Sequence, residues 1–132
     1  MGMIIDSLDL ATAEQVSDVL DLTVLERLIE DTSIDFLPSL IEVFEAESAQ
    51  RLESIKASLE NNDLATLGIE AHSLKGTSAT FGAEKLRLVS EKIEKAAKMS
   101  DQAVVDENVP HVPELLEKVI VELNRFSAAV AP

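Results

Sequence analysis

Cysteine is absent from this 132-residue chain, which removes disulfides, thiolate metal ligands and thiol nucleophiles from consideration. Tryptophan and tyrosine are absent too, and only four phenylalanines are present, so the core has to be built from Leu, Ile, Val and Ala. That composition suits packed helices better than a sandwich of aromatic-rich strands. No apolar run approaches the roughly 18 residues that a membrane span needs. The first ten residues carry Asp6 and Asp9 and no basic segment, so a secretory signal is not expected. Basic residues are scarce: 11 Lys and Arg stand against 25 Asp and Glu, a net charge of -14. Nucleic acid and anionic lipid both require a basic surface, so neither is an expected partner. These absences fit a cytoplasmic protein about one domain long.

What is present is strongly helical in pattern. Thr12-Ala13-Glu14-Gln15 and Thr23-Val24-Leu25-Glu26 both have the form of a capping box, predicting short helices over about 13–20 and 24–31. Asp31-Thr32-Ser33 offers N-caps for a long helix over about 34–60, with Pro38 tolerated near its start. Leu37, Leu40, Ile41, Phe44, Ser48, Leu52, Ile55 and Leu59 form its inward stripe. Asn61-Asn62-Asp63 is a turn, and Asp63 can cap a helix over about 64–81 that presents Leu64, Leu67, Ala71, Leu74, Ser78 and Phe81 on one face. Gly82 is placed to end it in a left-handed conformation. A helix over about 84–98 follows, then a loop from Ser100 to Val109, then a last helix over about 113–130 introduced by Pro110 and Pro113. The expected fold is all-α: an antiparallel up-down four-helix bundle with one or two short extra N-terminal helices. Its domain would span residues 24–130, with 1–23 as an N-terminal arm. A heptad-based coiled coil is the competing architecture, and the turn-broken helices argue against it.

Charge is unevenly distributed. Residues 1–70 hold 16 acidic and 3 basic side chains, residues 71–100 hold 3 and 6, and residues 101–132 hold 6 and 2. One locally basic window, net +3, thus interrupts an acidic chain, and His72 lies in it. Chance clustering along an exposed helix explains this as well as a docking role does. At about 100° per residue, His72 falls roughly 130° from the centre of its helix's buried arc, so its ring is expected to face solvent. Its helical neighbours are Gly68, Ile69, Lys75, Gly76 and Ala79. Each glycine costs a helix about 1 kcal/mol relative to alanine, so two flanking one histidine call for a reason beyond helix propensity. A flat, open flank would let another protein's active site close over the imidazole, whose free nitrogen is a nucleophile. Lys75 could attract an anionic oxygen as a mobile point charge, with Ile69 as an exposed apolar contact. Equally, a surface histidine is usually only that, and helical glycines can serve close helix packing. Position alone leaves both readings open.

The string Ala71-His72-Ser73-Leu74-Lys75-Gly76-Thr77-Ser78-Ala79-Thr80-Phe81-Gly82-Ala83 resembles the signature of histidine-containing phosphotransfer (HPt) domains. In that signature a His is followed by any residue, an aliphatic, Lys, Gly, small residues and an apolar-Gly turn. The helical pattern from about 24 to 130 fits the family bundle as well. The resemblance implies that His72 is the phosphorylated residue, Lys75 its electrostatic neighbour and Gly76 the clearance for a partner; Gly68, Ile69 and Ala79, as helical neighbours of His72, are expected on the same docking surface. Family members commonly carry a Gln on the following helix, hydrogen-bonded to the imidazole. Spacing leads here to Glu94, a departure: a carboxylate can accept the ring N–H and fix the tautomer, but it would also repel an incoming phosphoryl group. The plainer alternative pairs Glu94 with Lys98 as surface charges.

Two histidines, His72 and His111, with no HExxH and no Cys, make a zinc site improbable, and no phosphate-cradling glycine loop supports nucleotide binding. His111 reads as a loop residue. No metal or cofactor is expected on the chain itself; Mg2+ is expected on a partner receiver domain. The expected function is a phosphorelay intermediate, a carrier without autonomous turnover. It would take a phosphoryl group on His72 from a receiver aspartate or from a sensor or hybrid histidine kinase, and pass it to a response-regulator aspartate. The resemblance also admits an HPt module of a larger hybrid or chemotaxis-type kinase, although Met1-Gly2-Met3 looks like a start and favours a stand-alone protein; the resemblance itself implies a monomer. A different class, a helical adaptor binding through its acidic face, would show no dependence on His72.

Overall fold

In the computed structural model, which describes residues 19–130, all the regular structure is helical. Helix α1 spans Leu22–Asp31, and a 3-10 turn over Ile34–Phe36 leads into α2, Leu37–Glu60. Then come α3 (Leu64–Thr80), α4 (Glu84–Lys98), α5 (Gln102–Asn108) and α6 (His111–Val130). The four long helices close a ring: α2 packs on α3, α3 on α4, α4 on α6, and α6 back on α2. Three-residue connections at 61–63 and 81–83 make the first three of these antiparallel neighbours, so the architecture is the up-down bundle with an added short helix before it. The other short helix, expected over 13–20, falls almost wholly outside the described residues.

Local chemistry sets the helix ends. Asp63 accepts from the backbone N–H and the hydroxyl of Thr66, at 3.1 and 2.6 Å, and so caps α3. Gly82 has φ +72°, the left-handed residue that turns α3 into α4. A Cβ there would lie 2.8 Å from the Asp21 carbonyl oxygen, so only glycine suits both the turn and the chain crossing it. That crossing also corrects one expectation. Asp21, rather than Thr23, caps α1: its carboxylate accepts from the Thr23 N–H while its own N–H donates to the Gly82 carbonyl at 2.8 Å. The tertiary contact starts the helix two residues earlier than the local pattern indicated.

A second correction concerns residues 100–109, expected as loop. Asp101 accepts from the Val104 N–H and caps α5, whose Val105 is wholly buried, with Val109 buried just beyond. Seven residues are too few for a helix to hold by itself; burial of this valine pair against the bundle supplies the missing stability. Helix α6 accordingly begins at His111, and Pro113 lies in its first turn, where an N–H has no partner to lose.

The core is aliphatic, as the composition required. Leu67, Leu74, Leu86, Ile93 and Leu123 are fully buried, and Phe44 packs on Phe81 with ring centroids 4.8 Å apart. Buried Ser78 and Ser90 return their hydroxyls to the carbonyls four residues earlier and are satisfied within their own helices, whereas the hydroxyl of the equally buried Ser48 has no hydrogen-bond partner among the described residues. Among the described residues no helix is long and apolar enough to cross a membrane.

Candidate functional site

Burying Leu67, Ala71, Leu74 and Ser78 turns the opposite flank of α3 outward. His72 stands on that flank with 66% of its side chain exposed. Ile69 is 64% exposed beside it, and Gly76 and Ala79 lie exposed one and two turns further on. A Cβ added at Gly76 would meet nothing within 4 Å, so the surface one turn on from the ring is open there.

Gly68 does not belong to this open surface. It is buried, and a Cβ there would come within 3.3 Å of the Ala97 methyl on α4. Its role in clearance for a partner is therefore replaced by one in packing: the small pair Gly68–Ala97 lets α3 and α4 approach closely. Between that contact and the solvent, the approach brings a third group into reach.

That group is Glu94, only 4% exposed. Its Oε2 lies 2.7 Å from His72 Nδ1, and its Oε1 accepts from Lys75 Nζ at 2.6 Å. Lys98, one turn along α4, donates to Oε2 at 3.3 Å. The Lys75 ammonium chiefly, with His72 and Lys98 adding to it against the cost of burial, holds the Glu94 carboxyl down to about 2. Glu94 is therefore a carboxylate at neutral pH and has no proton to give. The hydrogen bond to His72 can only run from Nδ1–H to Oε2, which leaves the lone pair on Nε2, on the other edge of an exposed ring.

Two expectations change with this geometry. Lys75 is not a mobile point charge: its side chain is only 28% exposed and its ammonium is held by Glu94. Nor is Glu94 a bare negative charge facing an incoming anion, since two lysines neutralise it. Orientation of the imidazole and pairing with Lys98, posed as alternatives, occur together on one carboxylate. The basic window as a whole is largely paired on α4, with Arg87 bridging Glu84 and Glu91, and Lys95 joined to Glu91. His111 is the exposed first residue of α6 rather than part of a loop.

Beside the ring a shallow groove runs between α3 and α4, lined by Leu64, Ala65, Ile69 and Ala97, with Lys98 at its rim. The flank can thus offer an oriented nitrogen nucleophile, two held cations and apolar footing to a convex partner. An exposed, oriented imidazole nitrogen of this kind is chemically able to act as a nucleophile.

The family model of the Hpt domain matches residues 39–122. Among solved structures the chain is similar to histidine-containing phosphotransfer protein B (HptB) from Pseudomonas aeruginosa PAO1. The two are 28% identical, the match covers 83% of this chain and 94% of that one, and the TM-score is 0.78. No curated protein matches in sequence.

Proposed function

Because the chain belongs to the Hpt domain family, we propose that His72 is its phosphoryl acceptor and that the protein relays the group between aspartates of receiver domains. The lone pair on Nε2 attacks the phosphorus of a receiver's phospho-aspartate, the P–O bond to the aspartate breaks, and the aspartate leaves as a carboxylate. Onward transfer is the reverse, onto the aspartate of a response regulator; a sensor or hybrid histidine kinase is the alternative donor.

A loose phosphoryl-transfer transition state asks mainly for positioning and charge compensation. The partner's Mg2+ and acidic pocket supply most of the compensation, while this chain supplies the oriented ring, Lys75 and the docking flank of Ile69, Gly76 and Ala79. On this reading the donor site lies on the partner, and the protein is a carrier rather than an enzyme. It works in the cytoplasm as a monomer, since a second copy on α3 would cover the flank that the receiver needs.

The observation that carries this reading is the exposed imidazole tethered at Nδ1 by a buried carboxylate, on a flank left open at Gly76. Incubation with a phosphorylated receiver should place acid-labile, base-stable phosphate on the parent protein and none on His72→Gln. Equal labelling of the two proteins would end the proposal.

A further inference from the structure

Glu94 does more than aim a ring, because a carboxylate stands where a neutral amide would suffice to accept one hydrogen bond. Resting on the assignment of His72 as phosphoryl acceptor, we infer that Glu94 is a positioning residue that keeps the Nδ1 proton on the ring after phosphorylation. The phosphoryl group then leaves from a ring that is already cationic, and its release stays fast above neutral pH.

The reasoning is one of electron and proton balance. When Nε2 takes a phosphoryl group while Nδ1 keeps its proton, the ring acquires a positive charge. Breaking the P–N bond from that state returns the electron pair to Nε2 and yields neutral imidazole, a good leaving group, with the phosphoryl group passing to an aspartate oxygen or to water. If Nδ1 has first lost its proton, the same cleavage must expel an imidazolide anion, which is far less favourable. An unassisted ring gives up such a proton near neutrality, as ordinary imidazolium does. A carbamoyl oxygen at Nδ1 would accept the hydrogen bond without opposing that loss. A carboxylate at 2.7 Å opposes it directly, because deprotonation would leave two acceptors facing each other.

Every charged group around the ring fits this state. Lys75 on its own helix and Glu94 and Lys98 on α4 form the immediate cluster. Further along α4, Glu91 is taken up by Arg87 and Lys95, and on the α2 side Glu70 is tied to Arg51. Lys75, Lys98 and a protonated ring bring three positive charges; Glu94 and a phosphoryl dianion bring three negative ones. The phosphorylated cluster is neutral only with the Nδ1 proton in place. Unphosphorylated, the same cluster with a neutral ring has one positive charge in excess, suited to an acidic receiver pocket.

Phosphoramidate, a small donor that needs no partner protein, loads the histidine, and loss of phosphate to water is then followed against pH. For the parent, the rate is expected to change less than about threefold between roughly pH 6 and pH 9, whereas for Glu94→Gln it should fall about tenfold per pH unit above neutrality. The parent profile decides the matter even if the variant folds poorly: a parent rate that falls tenfold per unit overturns the inference, and so does an unchanged profile in a folded variant. These outcomes leave the relay reading intact. That reading fails separately, and takes the inference with it, if neither phosphoramidate nor a phosphorylated receiver labels His72.

Discussion

Gly68 and Gly76 lie eight residues apart on one helix, yet the structure gives them opposite responses to a side chain. At Gly76 an added methyl group meets open space, so Gly76→Ala should gain the full helix-propensity difference, about 1 kcal/mol. For a domain of this size that raises the melting temperature by about 3–5 °C. At Gly68 the added Cβ lies 3.3 Å from the Ala97 methyl, already tighter than ordinary contact, and the branched methyls of valine would press further into α4. Gly68→Val gains only a few tenths of a kcal/mol in propensity and incurs about 1–3 kcal/mol of overpacking, a net loss of about 1–2 kcal/mol. Urea denaturation monitored by circular dichroism gives both values, with an unchanged m-value showing that stability alone has moved. The loss at Gly68 should come with disturbed phosphoryl acceptance, because pushing α4 outward stretches the contacts of Glu94 with His72 and Lys75. A Gly68→Val protein as stable as the parent would refute the close approach of α3 and α4. A destabilised Gly76→Ala would refute the open flank.

Gly76→Gln should remain folded and accept phosphate from phosphoramidate at the parental rate, but exchange with a phosphorylated receiver at least about tenfold more slowly, since the long side chain obstructs a protein and not a small donor. Stopped-flow or gel-based transfer assays distinguish the two, and equal slowing with both donors would contradict the docking role of this flank. Lys75→Met removes the largest cause of the lowered Glu94 pKa. A carboxyl whose folded value lies below its unfolded value contributes stability that is complete above the unfolded value of 4.5 and is lost as pH falls towards about 2. In the parent this amounts to about 1–2 kcal/mol after allowance for solvent screening at the exposed His72 and Lys98. The variant should therefore show a smaller loss of stability between roughly pH 5 and pH 2, measured by denaturation at each pH; an identical acid limb would show that Lys75 does not hold the carboxylate.

The amino-acid sequence by itself determined the bundle and the placement of His72. Those features are written in local periodicity: apolar residues three and four apart define which face of α3 is buried, and the ring's angle from that face puts it in solvent. Asp63 and Gly82 likewise mark the ends of α3 by chemistry confined to a single turn. The short α5 escaped notice because its stability comes from burying Val105 and Val109 against distant helices, and seven residues carry too little periodic signal. Only the tertiary structure decided what surrounds the imidazole. Gly68 and Ala97 are 29 positions apart, and nothing local says that they touch; once they do, Glu94 is drawn beneath the ring and takes hold of Lys75 as well. A carboxylate that looks repulsive in one dimension becomes a neutralised, proton-fixing anchor in three, because charge compensation depends on distances of about 3 Å between side chains of different helices.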